Sequence, residues 1–382
     1  MECNTSRRAF ACRMREPGTE RDKYGLLFVF CSKKDTMSYP LFLPQKEKRD
    51  LYGKAILAAD IGGTKTSLGL FELRDGVLTL LRETTVPSKA HATFEGIVTQ
   101  FLETNPCAPY ILSIGVAGPV LNNQVKLTNL SWELDGDRLE RELGITHAVL
   151  INDLEATAYG LTGLNAEDIA PVFDPGEGTP GNMAILAPGT GLGEAGLFWD
   201  GAAYRPFATE GGHSDFAPRT ELDLELQTYL KGVSDIVSCE HVVSGPGIYR
   251  IYRFLRDVKG HKEPAWLTEN FKAGNDPAAV ISHAAMRELD ATCMKTMELF
   301  VAYMAREATS LVLKHKATGG LLLGGGIPPR IYPLLREELF RRQFIQNSQM
   351  TDLLEGVSIR VILNSKAALI GAAYFGAFGG DF

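Results

Sequence analysis

No apolar run in the 382 residues approaches the ~18 consecutive positions that a membrane-crossing helix requires, so no membrane partner is expected. Basic charge is also short, with 39 Lys and Arg against 46 Asp and Glu and a formal net charge of -7. Binding to nucleic acid draws on a Lys/Arg surplus to meet phosphates, so no nucleic acid is expected as the main partner and a small molecule is favoured instead. Cysteine is sparse and scattered. Cys3, Cys12, Cys31, Cys107, Cys239 and Cys293 include no CxxC pair, so neither a disulfide framework nor a zinc site is signalled, and a reducing cytoplasm is the expected location. What is present is the composition of a globular protein, 45% hydrophobic and 22% charged, at a length that suggests roughly two domains.

The first 53 residues show no sustained period. They combine a basic start (Arg7, Arg8, Arg13, Arg15) with one apolar run, Leu26 to Phe30, which is too short and too late for a secretory signal. Residues 1–53 are expected to be a poorly structured extension, or upstream sequence ahead of a start at Met37. A targeting segment or a basic interaction arm is the alternative.

Glycine is the residue in excess, 39 in all, about 10% against a usual ~7%. It clusters in loops. The run Ala55 to Ala59 ends at Asp60, continues through Ile61-Gly62-Gly63-Thr64-Lys65-Thr66, and enters a second run from Ser67 to Phe71, which reads as strand, turn, strand. The same figure recurs as Ala184 to Ala187, Pro188-Gly189-Thr190-Gly191-Leu192-Gly193, and Ala195 to Trp199. Both hairpins end in Gly-Leu-Phe, at Gly69–Phe71 and Gly196–Phe198, which predicts two related lobes facing one another. Further strands (Tyr110 to Val116, His147 to Ile151, Leu321 to Leu323) alternate with helices (Leu154 to Leu161, Gly247 to Val258, Ala367 to Phe378), so the class is α/β. A long helix over about Asp290 to Lys316 carries Met294, Met297, Val301, Met304, Ala308, Leu311 and Val312 at helical spacing, read as core.

Glycine turns after buried strands let backbone N–H groups approach a phosphate with no Cβ in the way. A third such loop, Leu323-Gly324-Gly325-Gly326-Ile327-Pro328, makes simple hairpin turns a poor account of all three and favours a nucleotide. Asp60, where its strand stops, is placed to hold a hydrated Mg2+ against phosphates, with the Thr64 hydroxyl beside it. The loops are not Walker loops, because a threonine separates Gly63 from Lys65. Gly191-Leu192-Gly193-Glu194-Ala195-Gly196 spells GxGxxG, but it enters a strand where a dinucleotide fingerprint opens a helix.

A polar set accompanies the loops. Ile151-Asn152-Asp153 closes a buried strand at the carboxyl end, where α/β proteins bind ligands, and Asp153 reads equally as a general base or as the N-cap of the helix after it. Thr209-Glu210-Gly211-Gly212-His213 places an acid and an imidazole around two glycines, and Cys239-Glu240-His241 precedes the helix start Ser244-Gly245-Pro246-Gly247. Such groups satisfy sugar hydroxyls, although Glu210 and His213 also fit a hydrogen-bonded loop pair and Glu240 a solvated helix face.

Taken in order and spacing, Asp60–Thr64, Thr128–Trp132, Ile151–Asp153, Gly189–Gly193, Glu210–His213, Glu240–Gly247 and Gly324–Ile327 resemble the bacterial-type glucokinases, over about Ala55 to Phe378. The resemblance implies an actin-like (ribonuclease H-like) two-lobed sugar kinase with a cleft between its lobes. Residues 54–163 with 365–382 would form the small lobe and 164–364 the large one. It implies transfer of the γ-phosphate of MgATP to the 6-hydroxyl of glucose, giving glucose 6-phosphate. By motif, Asp153 is the catalytic base and Asn152, Glu210, His213 and Glu240 hold the sugar. Asp60, Gly62, Gly63, Thr64, Gly189, Thr190, Gly191 and Gly325 surround the nucleotide, with Asp60 meeting Mg2+ through water. Asn129 belongs to the family pattern without an assigned contact, and a homodimer follows by analogy only. The neighbouring repressor/open reading frame/kinase family places a zinc-binding cysteine cluster after its Glu-Gly-Gly-His; here Ser214-Asp215-Phe216-Ala217-Pro218 follows, so no structural zinc is expected. Alternatives are a kinase for another hexose or an amino sugar, a sugar-sensing regulator, and an actin-like ATPase without a sugar site. The last would leave the polar set idle, and residues 1–54 show no paired helices for a regulator's DNA-binding motif.

Overall fold

The first two glycine loops each join two runs of β-prone residues, and these hairpins found the two main sheets. The computed structural model describes residues 39–42, 51, 53–74, 77–127, 129–176 and 180–379. The basic start, the Leu26–Phe30 run and Met37 lie outside the described residues.

The first half runs β1 (Ala55–Ile61), β2 (Lys65–Arg74), β3 (Val77–Pro87), α1 (Phe94–Thr104), β4 (Ile111–Val116), β5 (Gln124–Lys126), β6 (Glu133–Asp135), α2 (Gly136–Leu143), β7 (His147–Asn152) and α3 (Asp153–Gly160). Its sheet has the order β3-β2-β1-β4-β7, antiparallel through the hairpins and parallel from β1 to β7. The second half runs β8 (Ile169–Phe173), β9 (Met183–Pro188), β10 (Leu192–Trp199), β11 (Tyr204–Thr209), α4 (Glu221–Leu230), α5 (Gly245–Asp257), α6 (Ala265–Lys272), α7 (Pro277–Met286), α8 (Ala291–His315) and β12 (Gly320–Leu323). Three short helices follow, α9 (Tyr332–Leu335), α10 (Glu338–Ile345) and α11 (Thr351–Glu355), then β13 (Ile359–Ile362) and α12 (Ala367–Phe378). Its sheet has the order β11-β10-β9-β12-β13-β8. The strands β11 to β13 repeat the order and directions of the first sheet, so the similarity of the hairpins extends to whole sheets, and this is the expected actin-like α/β architecture. The added strand β8 lies antiparallel on β13.

Central strands are mostly apolar because both faces are covered; β4 and β9 are buried at every residue. Phe94, Ile97 and Phe101 of α1 cover the outer face of the first sheet, and α5 and α8 cover that of the second. Between the sheets run α3 and α12, packing Ala156, Ala158, Ala372 and Ala373 with Ile56 and Ile185. Their backbones nearly touch: a Cβ on Gly371 would stand 1.6 Å from the Ala156 carbonyl oxygen, and one on Gly160 2.0 Å from that of Ala367.

The long helix α8 begins where Asp290 accepts from the Cys293 N–H at 2.8 Å and ends at Lys316, whose φ of 48° leaves the helical region. Its stripe is core as expected, apart from Met294, which is 42% exposed although its neighbour Cys293 is fully buried, so it lies on the outer side of the first turn. Part of the segment expected to be unstructured is also ordered. Tyr204 N–H donates to the Pro40 carbonyl (2.7 Å) and Phe42 N–H to that of Tyr204 (2.8 Å), while Leu41 is buried. β11 is an edge strand whose outer groups need partners, and these residues supply them. Among the described residues no helix is long and apolar enough to cross a membrane.

Candidate active site

The first glycine loop, Gly62 to Thr64, turns between β1 and β2, with Gly62 N–H donating to the Lys65 carbonyl at 3.0 Å. Ser88, just after β3 and fully buried, holds it. Its Oγ donates to the Gly62 carbonyl (2.8 Å), its N–H to that of Thr64 (3.0 Å), and Thr66 Oγ1 lies 3.0 Å from its hydroxyl. Asn129 packs on the loop, its Cβ 3.1 Å from where one on Gly63 would stand. Thr128 lies outside the described residues.

The second and third loops meet. Gly189 N–H donates to the Gly191 carbonyl (2.8 Å), and Gly245 N–H to that of Gly189 (2.8 Å), which ties the second loop to the start of α5. Gly324 N–H reaches the Leu186 carbonyl (2.9 Å) and Ile327 N–H that of Pro188 (3.2 Å). Gly325 needs to be glycine: its φ is +77°, and a Cβ would stand 2.6 Å from the Pro188 carbonyl oxygen. The N–H-rich loops with Gly189, Thr190, Gly191 and Gly325 therefore form one cluster beside the capped N-terminus of α5, where Gly247 N–H donates to Ser244 Oγ at 3.1 Å.

Asp153 is the first residue of α3, and its neighbour does the capping. Asn152 Oδ1 accepts from Leu154 N–H (2.9 Å) and Glu155 N–H (3.4 Å), and Glu155 Oε2 accepts from Asn152 N–H (3.4 Å), which completes a capping box. The alternative that made Asp153 the N-cap is thus off by one residue, because Asn152 takes that place. Asn152 is buried, its Oδ1 committed to the cap and its amide donating to the Gly118 carbonyl at 3.3 Å. Glycines let α3 start here: a Cβ on Gly115 would stand 2.9 Å from that of Ala156, and one on Gly193 2.9 Å from Leu154 Cδ1.

Burial pushes the half-buried Asp153 carboxyl up to about 6; backbone N–H groups of the first turn oppose this and the charge of Glu210 adds to it. Asp60 is pushed up to about 7, by burial first and by the Asp153 charge second, with Lys65 opposing. Asp153 ionises first, and its charge then holds back Asp60. Asp153 therefore lies in electrostatic reach of both Asp60 and Glu210, which carries the set from the first sheet into the second.

Glu210 and His213 flank their two glycines with Oε2 and Nε2 3.9 Å apart, both more than half exposed. Glu240 is not a solvated helix face. Its Oε2 accepts from Leu192 N–H at 2.9 Å, lies 2.5 Å from where a Cβ on Gly191 would stand, and so joins the second glycine loop directly. His241 is held below its ordinary range by burial and by Arg250, with His213 adding to the effect, which places the two imidazoles near one another. The structure thus brings Glu210 and His213 near the turn that carries Glu240 and His241, with Asp153 within electrostatic reach of Glu210. Ser88 and the Asn129 contact escape sequence reasoning; no glycine or acid marks Ser88, and only the family pattern singles out Asn129.

The sequence profile of the glucokinase family matches residues 57–377. The chain is 42% identical to the glucokinase of Nostoc punctiforme over 335 residues, 83% of this chain and 97% of that protein. It is 39% identical to the glucokinase of Synechocystis over 345 residues, 84% and 97% of the two chains. Among solved structures, a glucokinase from an Antarctic psychrotroph superposes with a TM-score of 0.71 at 31% identity, covering 85% of this chain and 99% of that one. With the whole motif set and both sheets inside these matches, the chain belongs to the glucokinase family.

Proposed function

We propose that this chain transfers the γ-phosphoryl group of ATP to the 6-hydroxyl of glucose, with Asp153 as the general base. The observation that carries the reading is the Asp153 carboxylate, released from capping by Asn152 and facing the Glu210 charge where the two halves meet. Phosphoryl transfer has a loose transition state, so a protein contributes mainly position and charge. Asp153 accepts the hydroxyl proton as the bond to phosphorus forms, a role worth about 100 to 10,000-fold. Glu210, His213 and Glu240 take the remaining hydroxyls, with the Asn152 amide behind them. A hydroxyl missing or inverted would leave these groups unpaired, a penalty of up to about 10,000-fold.

The N–H groups of Gly62, Gly63, Thr64, Gly189, Thr190, Gly191 and Gly325 support the phosphates. Asp60 fits a divalent cation: it is a half-buried carboxylate raised by a second acid, a region of excess negative charge that a cation relieves. One protein carboxylate with water and phosphate completing the shell suits Mg2+, which when bound neutralises the β and γ oxygens.

Glu210 and His213 are open to solvent, so water must be expelled before ATP is committed. Closure of the lobe 54–163 with 365–382 onto 164–364 would do this. Solution scattering should record compaction on adding glucose, and an unchanged radius would count against it. The same proposal places the enzyme in the cytoplasm, consistent with the free thiols Cys107, Cys239 and Cys293. The decisive assay is turnover of glucose with MgATP beside Asp153→Asn. Near-full turnover by that variant overturns the base assignment, and faster turnover of another hexose in a sugar panel overturns the substrate.

A further inference from the structure

Beneath the Glu210–His213 loop lies a second pair of acids that no step above uses. Glu194, in β10, is 3% exposed and Glu307, in α8, is 8% exposed. Glu194 Oε2 fills the space beside Gly211: a Cβ there would stand 2.0 Å from it. Glu307 Oε2 accepts from the Cys239 thiol at 2.9 Å, and Cys239 N–H donates to the Ser214 carbonyl, also at 2.9 Å. Cys239 immediately precedes Glu240. One acid therefore supports the loop that carries Glu210 and His213, and the other supports the turn that carries Glu240.

The two carboxyl groups lie within hydrogen-bond reach of each other, and the Oε1 atom of each finds no donor on the protein. Two ionised carboxylates in that position repel and leave both oxygens unsatisfied. One proton shared between them satisfies both. Several charges surround the pair. Lys314 of α8 faces Glu194, and Arg219 faces Glu307, but Arg219 also faces Arg306 and Asp223, which form their own ion pair at 2.7 Å. The Cys239 thiol is pushed far up by burial and by Glu307, so it stays a donor.

We propose that Glu194 and Glu307 form a positioning pair which, by sharing one proton, sets the separation between the Glu210–His213 loop and the Cys239–His241 turn and so the affinity for the sugar. This rests on the reading of Glu210, His213 and Glu240 as sugar-holding groups. Burial first and Glu307 second push Glu194 up to about 8, so the shared proton is present at neutral pH and leaves above it. Loss of that proton drives the carboxylates apart and moves the loop away from the turn.

The test is the KM for glucose and for ATP, measured between pH 7 and 9 on the full chain and on Glu194→Gln, whose amide carries a permanent donor. The protonated fraction of Glu194 falls roughly tenfold across that range, so the wild-type KM for glucose should rise by up to about tenfold while that for ATP stays level. Glu194→Gln should keep the neutral-pH KM and hold it within about twofold through pH 9. If Glu194→Gln does not fold, Glu307→Gln places the donor on the other acid and should flatten the curve equally. A flat wild-type curve, a variant that follows a rising one, or glucose and ATP constants that move together would overturn the proposal. Glu210→Ala, run alongside, separates the two readings: if it leaves the glucose KM unchanged, the sugar assignment fails, whereas a large rise there beside an unaltered Glu194→Gln curve rejects the pair alone.

Discussion

The two sheets share a strand order, yet their opening hairpins carry different groups. In the first, the carboxylate of Asp60 stands one residue before the end of β1 and the loop is fastened by Ser88. In the second, β9 ends on Ala187 and Pro188, the loop is fastened by Gly245 and Ile327, and the acid appears farther on, as buried Glu194 in β10. On the proposed reading, the first hairpin brings a negative side chain to metal and phosphate, while the second brings backbone donors on one side and supports the Glu210–His213 loop on the other. A duplicated architecture thus supplies two cradles, while a few side chains divide the chemistry between them.

That division can be broken from its largest element downward. Asp153→Asn should lower kcat by about 100 to 10,000-fold, roughly 3 to 5 kcal/mol of barrier, while leaving thermal unfolding unchanged because Asn152 keeps the cap. Coupled ADP detection and a melting curve on one preparation measure both. Alanine in the two loops should separate the hairpins. Gly191→Ala puts a Cβ against the Glu240 carboxylate and should raise the glucose KM by about tenfold, whereas Gly63→Ala meets the Asn129 side chain at 3.1 Å and should leave it within about twofold. Equal effects would mean that the second loop has no special tie to the sugar.

The pH profile tests the acids that join the halves. A base must be unprotonated to accept a proton, and Asp153 is raised to about 6, so kcat/KM for glucose should fall about tenfold per unit below that point. Glu210 contributes to the raised value, so Glu210→Gln should move this acid limb to lower pH, relative to its own plateau. A limb that stays in place would uncouple the two acids. The smallest effect belongs to the cap: Asn152→Ala should cost about 1 kcal/mol of stability in chemical denaturation.

The elements that sequence reasoning locates are those specified by local pattern. Strand–glycine–strand runs give both hairpins, and α8 is bounded by Asp290 and Lys316, close to the span its apolar period predicts. Asp153 is found because an acid at a strand end is a local signal. What is missed depends on contacts between distant segments. Ser88 belongs to no motif and acts through β3 packing beside β2, and Glu194 looks like part of a coincidental glycine fingerprint until α8 brings Glu307 to it. The cap is off by one residue because Asn and Asp are equally good at capping, and only geometry distinguishes them. Pro40 to Phe42 stay hidden because a short edge strand has too few residues to show a period.

Where Gly160 and Gly371 let α3 and α12 meet main chain to main chain, alanines and the rings of Tyr159 and Phe375, 5.2 Å apart, fill the rest of the crossing. Turning one helix over the other would force backbone into backbone at those glycines and pull the two rings apart, so the crossing acts as a clasp that keeps this lobe a single piece when the other moves.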